Sequence, residues 1–197
     1  VEHLKPAVAY VILTVVLLLI FLIVGYPAFI AVFAHLNPFK FAKKITRVAV
    51  FGFSTSSSAA TLPLNVKTTV EELGVDEKIA SFVLPLGMTI NMNGTAIMQV
   101  IATLFIAGCA GYSISFTQLV VIALLALIAS AGTPAAPGSG AIILFTILSG
   151  LGYVNDAAML AYSLILAINR PIEMLVTALN VVGDSATSIY VAKSEGV

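Results

Sequence analysis

The chain has 197 residues, of which 60% are hydrophobic and 9% are charged, whereas charged residues make up about a quarter of an ordinary soluble domain. A water-soluble core of this size could not bury so much apolar surface. Nine basic side chains balance nine acidic ones, so the basic excess typical of nucleic-acid binding is missing and we expect no nucleic-acid partner. The composition predicts an all-α, multi-pass protein of the cell membrane, with the lipid bilayer as its partner.

The first predicted element is a transmembrane helix at residues 6–39, a stretch without any charged residue. Its run YVILTVVLLLIFLIV nearly fills the roughly 20 residues that a crossing needs. Four basic residues follow this helix, namely Lys40, Lys43, Lys44 and Arg47. The positive-inside rule puts them in the cytoplasm, so we expect Val1 outside and Val197 inside the cell.

A re-entrant hairpin is predicted at residues 45–70. An apolar arm leads to the tip STSSSAA at 54–60, and TLPLNVKTTV returns the chain to the charged loop EELGVDEK. A second transmembrane helix follows at residues 79–107, because this stretch is apolar and long enough to cross with some tilt.

The second predicted hairpin covers residues 116–151. Its arms, Phe116–Ala129 and Ala141–Leu151, have 14 and 11 residues and flank the tip SAGTPAAPGSG, so both are too short to cross a bilayer. Irregular backbone at membrane depth has to be covered by protein or line a wet cavity. The last transmembrane helix is predicted at residues 157–192.

An internal repeat is indicated by the motif Asn-x-x-Gly, which follows each hairpin at Asn91–Gly94 and at Asn180–Gly183. We interpret the two halves as an inverted repeat. Interrupted hydrophobic segments at matching places in two halves are typical of a transporter's binding site. The alternative is a pair of ordinary membrane helices that contain glycine.

The last predicted helix has an acidic face. Its members are Asn169, Glu173, Val176, Thr177, Asn180 and Asp184. Ionisable groups inside a membrane are costly and therefore indicate function. Three alternatives stay open: Asp184 as an interfacial residue, Glu173 in an ion pair with Arg170, and Pro171 as a plain kink.

Two other classes of protein are alternatives. An intramembrane protease would use Asp184 with a second aspartate, or Ser139 or the serine run as a nucleophile with a positioned base, and the sequence offers neither partner at membrane depth. A purely structural or pore-forming module would explain neither the two tips nor the acidic face. We therefore expect no enzyme.

Four motifs carry a family resemblance, in the family's order and spacing. They are STSSSAATLP at 54–63, LPLGMTINMNGTA at 84–96, ASAGTPAAPGSGA at 129–141 and NVVGD at 180–184. The chain resembles the dicarboxylate/amino acid:cation symporters, the glutamate transporter superfamily. The resemblance implies that residues 1–197 are a C-terminal transport core without the N-terminal scaffold helices, and that the full-length member is a homotrimer.

The resemblance also implies a substrate site. Ser57 and Ser58 would bind the substrate carboxylate, the backbone of Ala136 and Gly140 would form a gate, and Glu173 would bind the α-ammonium group. Its other members would be Thr95, Val176, Thr177 and Asn180.

Two sodium sites are implied as well. One would combine Asp184 with carbonyl groups of Gly87, Asn91 and Asn180. The other would use carbonyl groups of Thr89, Met92, Ser130, Ala131 and Thr133. Such oxygen donors suit hard cations.

Three departures from the family pattern bear on function. Val176 stands where carriers of acidic substrates have an arginine, and Asn93 and Asn169 replace acids, which puts a third coupling ion in doubt. Without the bidentate arginine, we predict a symporter that couples Na⁺ or H⁺ to a small, neutral amino acid. The alternative is a symporter of C4-dicarboxylates or of acidic amino acids (glutamate or aspartate).

Overall fold

The computed structural model describes residues 4–196, and every regular element in this range is a helix. The predicted all-α class is therefore confirmed. The predicted positions of Val1 and Val197 on opposite sides of the membrane concern residues outside this range.

The chain begins with one long apolar helix in three pieces: α1 (Leu4–Ile20), a single π-helical turn (Phe21–Gly25) and α2 (Tyr26–Phe33). The predicted helix 6–39 is too long at its end, because a new helix, α3, begins at Pro38. The Asn37 side chain accepts hydrogen bonds from the amides of Phe39 and Lys40, and Pro38 suits the first helical position because that position needs no amide donor.

A first helical hairpin consists of α3 (Pro38–Thr55) and α4 (Ser58–Glu71). Its tip is only Ser56 and Ser57, and its first arm begins earlier than the predicted residue 45. The Lys44 ammonium donates to the Glu72 carbonyl, so the two ends of this hairpin lie together.

The next predicted helix, 79–107, has an interruption. Helix α5 (Glu77–Ile90) ends before Asn91 and Met92, and α6 (Asn93–Cys109) begins after them. The interruption lies inside the motif NMNGT, at the first Asn-x-x-Gly.

A second helical hairpin consists of α7 (Phe116–Ala131), a tip at 132–138, and α8 (Ser139–Leu151). Its ends also lie together, since Asn155 Nδ2 donates to the Ala110 carbonyl at 3.3 Å and Tyr112 Oη donates to the Gly152 carbonyl at 3.3 Å. These contacts support the hairpin form, whereas entry of either hairpin into a bilayer stays a prediction.

Two helices, α9 (Asp156–Ile168) and α10 (Arg170–Ser194), occupy the segment predicted as one helix at 157–192. The division falls at Asn169, two residues before Pro171, which has no amide hydrogen to continue the helix. Each hairpin is thus followed by a helix in two pieces. The second Asn-x-x-Gly motif, however, lies inside α10 and does not mark the interruption.

Helix α10 is the centre of the fold and packs against α3, α4, α5 and α6. Its residues from Leu175 to Ala186 are all buried. A polar cluster attaches α4 to it: Asn65 Nδ2 donates to the Val181 carbonyl at 3.0 Å, and Ser185 Oγ donates to Asn65 Oδ1 at 2.5 Å. Because α10 is enclosed on several sides, its polar side chains reach protein partners rather than lipid.

Three helical stretches are long and apolar enough to cross a membrane: Lys5–Phe33, Glu77–Cys109 and Arg170–Glu195. Their number agrees with the three predicted crossings, although helix length and composition are the only criteria.

We predict three crossings, with the two hairpins re-entering the bilayer from opposite sides. In a Cys109→Ala background, Lys40→Cys and Glu72→Cys should react with an impermeant thiol reagent from one side only. Ser113→Cys and Val154→Cys should react only from the other side. Reaction from opposite sides at the two ends of one hairpin would mean that this hairpin crosses the bilayer, contrary to the prediction.

Candidate functional site

A cavity lies where the two hairpin tips meet the first turn of α6 and the first half of α10. Its lining includes eight of the predicted substrate residues, namely Ser58, Thr95, Ala136, Gly140, Glu173, Val176, Thr177 and Asn180. Four separate parts of the sequence therefore contribute side chains to one space. The roles of these residues toward a substrate stay predictions.

Ser57, the ninth predicted substrate residue, does not line this cavity. Its hydroxyl donates to the Ala135 carbonyl at 2.9 Å and accepts from the Ala60 amide at 3.2 Å. It therefore caps α4 and ties the two tips together.

Ser56 lines the cavity instead. It is buried, its backbone is left-handed with a φ of 50°, and its hydroxyl has no hydrogen-bond partner within the described residues. A buried polar group without a partner is costly and suggests that a ligand atom completes it. Ser56 is not among the substrate residues predicted from the sequence.

Glu173 faces the cavity from the first turn of α10 and is 7% exposed. Its Oε1 accepts a hydrogen bond from the Ala141 amide at 3.1 Å, in the first turn of α8, where the helix dipole favours a negative charge. Arg170 is exposed, and within the described residues it forms no ion pair with Glu173. The proposed alternative of a mutual ion pair is therefore wrong.

The first turn of α8 is held by two further side chains. Gln99 Nε2 donates to the Gly140 carbonyl at 3.1 Å, and Tyr162 Oη donates to the Ala141 carbonyl at 3.1 Å. Both residues were missed from the sequence, although a glutamine amid an apolar helix is itself a signal because a buried amide needs partners.

Asn180 fixes the beginning of α6 against α10. Its Oδ1 accepts from the Gly94 amide at 2.8 Å, and its Nδ2 donates to Thr95 Oγ1 at 3.1 Å. A Cβ at Gly94 would lie 2.9 Å from the Val176 carbonyl oxygen, so only glycine allows this approach. The second Asn-x-x-Gly motif thus acts through the Asn180 side chain rather than through broken backbone.

Asp184 is the second buried carboxylate, at 2% exposure. Its Oδ1 accepts from Asn91 Nδ2 at 2.9 Å, and a Cβ at Gly87 would lie 2.7 Å from the same oxygen. The structure therefore brings three of the four residues of the first predicted sodium site close together, whereas the role of their carbonyl groups as ligands stays a prediction. No basic side chain lies within 4.0 Å of this carboxylate in residues 4–196.

The hydrogen-bond network of Asp184 extends to Tyr26, a residue that was not predicted from the sequence. Asn93 Nδ2 donates both to Asn91 Oδ1 at 3.0 Å and to Tyr26 Oη at 3.2 Å. A Cβ at Gly183 would overlap the same hydroxyl. The side-chain amide of Asn93 thus donates hydrogen bonds to two oxygen atoms. An ionised acid at this position could donate none.

The residues of the second predicted sodium site do not all lie in one place. Met92 and Thr133 line the cavity, and Ser130 is buried with its hydroxyl donating to the Leu127 carbonyl at 2.9 Å. Thr89 and Ala131 are exposed. No group of three His, Cys, Asp or Glu side chains able to hold a metal occurs in the part of the chain that the structure describes. Apart from the Asp184 carboxylate in the first set, both predicted sodium sites would therefore depend on neutral oxygen atoms.

Residues 1–194 match the profile of the family described as "Sodium:dicarboxylate symporter family". The chain belongs to this family. Membership confirms the resemblance seen in the four motifs, and with the three apolar stretches it establishes a multi-pass membrane protein. The sodium:dicarboxylate symporters are transporters, so the intramembrane protease alternative is wrong.

Relatives of this chain are named as excitatory amino acid transporters. A Caenorhabditis elegans protein, provisionally named a sodium-dependent member of that group, is 34% identical over 98% of the chain and 38% of its own length. Excitatory amino acid transporter 1 of Rattus norvegicus is 35% identical over 89% of the chain and 32% of its own length. Excitatory amino acid transporter 2 of Homo sapiens is 37% identical over 81% of the chain and 28% of its own length. The chain thus spans less than two fifths of the length of these relatives.

Proposed function

We propose that this chain forms the substrate- and sodium-binding core of a secondary active amino acid symporter. The observation that carries the proposal is the cavity between the two tips, in which a buried carboxylate, Glu173, faces hydroxyl and amide groups. A negative charge in such a place needs a compensating partner, and the ammonium group of an amino acid is one.

The carboxylate group of an amino acid would also find partners in this cavity. Ser56 offers a hydroxyl without a protein partner, and Ser58 lies beside it at the beginning of α4. Both can donate to a carboxylate. Asp184, one helical turn beyond Asn180, would hold the coupling sodium ion with the neighbouring oxygens of Gly87 and Asn91, and no cofactor takes part.

An acidic amino acid is the first candidate substrate. The relatives are named as excitatory amino acid transporters, and the family name refers to dicarboxylates. A C4-dicarboxylate fits the cavity less well than glutamate or aspartate, because it has no ammonium group for Glu173. The comparisons do not support the small, neutral amino acid predicted from the sequence.

A small neutral amino acid stays a second candidate because of one observation. Val176 lines the cavity at 5% exposure, and no lysine or arginine does so among the described residues. A side-chain carboxylate would therefore need backbone amides or hydroxyl groups in place of a bidentate arginine.

Competition uptake in proteoliposomes tests the function and decides between the candidates. In the carrier that contains this chain, an inward sodium gradient should drive uptake of labelled aspartate, and unlabelled glutamate should compete better than alanine or serine. Better competition by alanine or serine would favour the second candidate. Uptake that ignores the sodium gradient would contradict the symporter itself. Assembly of that carrier as a homotrimer is a further proposal, tested by its mass in detergent.

A further inference from the structure

One end of the helix bundle has the geometry of a membrane boundary. The Lys193 ammonium, near the end of the third apolar stretch, donates to the carbonyl of Ala34, just after the first one. The Lys44 ammonium donates to the Glu72 carbonyl, shortly before Glu77 begins the second stretch. Each of the three apolar stretches therefore has one of its two ends near the beginning of α3.

The first half of α3 is amphipathic in an unusual way. Phe41, Ile45 and Val48 form its buried side. A second side, here named the basic face, consists of Lys40, Lys43, Lys44 and Arg47, which are all exposed. Positions i, i+3, i+4 and i+7 share one side of a helix, so four positive charges point in a common direction.

The charges of the basic face have few protein partners. Within residues 4–196 no carboxylate lies within 4.0 Å of any of the four, since the one ion pair in this range joins Lys67 to Glu71. Helix α3 itself contains no acidic residue. The acids of the following loop, Glu71 to Glu77, are exposed nearby but do not reach these side chains.

Apolar side chains border the basic face. Phe39 is 84% exposed, and Leu36 and Phe33 are 48% and 56% exposed. A groove with an apolar floor of Leu36, Phe41, Leu73 and Ile189 runs beneath Lys40 and Lys44. Exposed aromatic and aliphatic groups beside a row of lysines match an acyl chain beneath an anionic headgroup.

We propose that the basic face binds anionic phospholipid headgroups of the adjacent leaflet, with Phe39 and the neighbouring groove against the acyl chains. Juxtamembrane basic clusters attract acidic lipids electrostatically. Such binding would hold α3, and with it the first hairpin, at a fixed depth. The proposal is independent of the substrate.

The absence of tryptophan from the sequence makes this testable with a single probe. Phe39→Trp places one fluorophore beside the basic face. Phe116→Trp places a matched one at an 80% exposed position at the start of α7, in the other hairpin, which is predicted to enter from the opposite side of the membrane. Each chain is reconstituted in phosphatidylcholine vesicles in which either phosphatidylglycerol or phosphatidylcholine carries bromine, a quencher that acts on contact.

We expect brominated phosphatidylglycerol to quench the tryptophan fluorescence of Phe39→Trp strongly. The quenching should correspond to a local concentration of this lipid about fivefold or more above its mole fraction in the vesicle. Phe116→Trp should show no preference. High salt should weaken the preference, because the Debye length falls from about 10 Å at 0.1 M to about 3 Å at 1 M.

Paired charge variants give the control. Lys40→Gln with Lys43→Gln should abolish the preference, Lys40→Arg with Lys43→Arg should keep it, and Lys67→Gln with Lys78→Gln, which also removes two charges, should leave it intact. Equal quenching of Phe39→Trp by both brominated lipids would overturn the proposal and leave an acidic protein as the occupant of this face. An equal loss in both glutamine pairs would also overturn it, since only overall charge would then matter.

Discussion

Asp184→Asn is expected to raise the sodium concentration needed for half-maximal substrate uptake by about tenfold to a hundredfold. The carboxylate is 2% exposed and has one amide donor, from Asn91, at 2.9 Å. Moving an uncompensated carboxylate out of water costs several kcal/mol, so a sodium ion beside it relieves that cost. Asparagine keeps the shape and the oxygen but removes the charge, and a lost charged interaction of about 1.5–3 kcal/mol corresponds to this range.

Two measurements check this prediction. Sodium should raise the unfolding temperature of the unsubstituted chain, because a ligand that binds only the folded state stabilises it, and this rise should nearly vanish in Asp184→Asn. Uptake by the carrier should lose its response to sodium at ordinary concentrations in parallel. Asp156→Asn is the matched control, since Asp156 is an exposed acid at the start of α9. An unchanged sodium response in Asp184→Asn would remove this residue from the cation site.

Val176→Arg is expected to raise the preference for aspartate over alanine by at least about tenfold. Val176 lines the cavity opposite no basic side chain among the described residues. A guanidinium group there would offer a side-chain carboxylate the bidentate partner that it lacks. Because removing one partner of a buried charge pair costs about 2–5 kcal/mol, supplying one gives an effect that competition uptake resolves easily.

The control for this variant is Val176→Met, which adds length without charge. It should weaken the binding of both aspartate and alanine while leaving the aspartate-to-alanine uptake ratio nearly unchanged. Glu173 lies three residues from position 176, so an arginine that paired with Glu173 instead would lower uptake of both substrates equally. An aspartate-to-alanine ratio that does not rise, while uptake of both substrates is retained, would therefore show that position 176 does not contact the substrate side chain.

The positions of the charges in α10 could be predicted from sequence alone. A membrane segment tolerates few ionisable groups, so Glu173 and Asp184 stood out wherever their partners lay. The same holds for the two tips, because runs of small and polar residues between short apolar arms cannot continue a membrane helix. Such features depend only on local composition, which can be determined completely from the sequence.

Helix boundaries needed more than composition. The sequence around Pro171 contains the local signal for a break, and the interruption at Asn169 agrees with it. The prediction nevertheless treated residues 157–192 as one helix with a kink at Pro171. At Asn91 and Met92 the backbone leaves the helix where Asn91 donates to Asp184, a residue 93 positions later. A local rule cannot anticipate that partner.

Which serine of the first tip faces the cavity was decided only by tertiary structure. Four of the five residues from Ser54 to Ser58 are serines and are nearly equivalent as a sequence. The left-handed backbone of Ser56 and the bond from Ser57 to Ala135, 78 residues away, turn one hydroxyl inward and the other toward the second tip. Gln99, Tyr162 and Tyr26 were missed for the same reason: a neutral polar side chain in an apolar helix acquires its role from the distant backbone or side chain that it contacts, and only folding brings the two together.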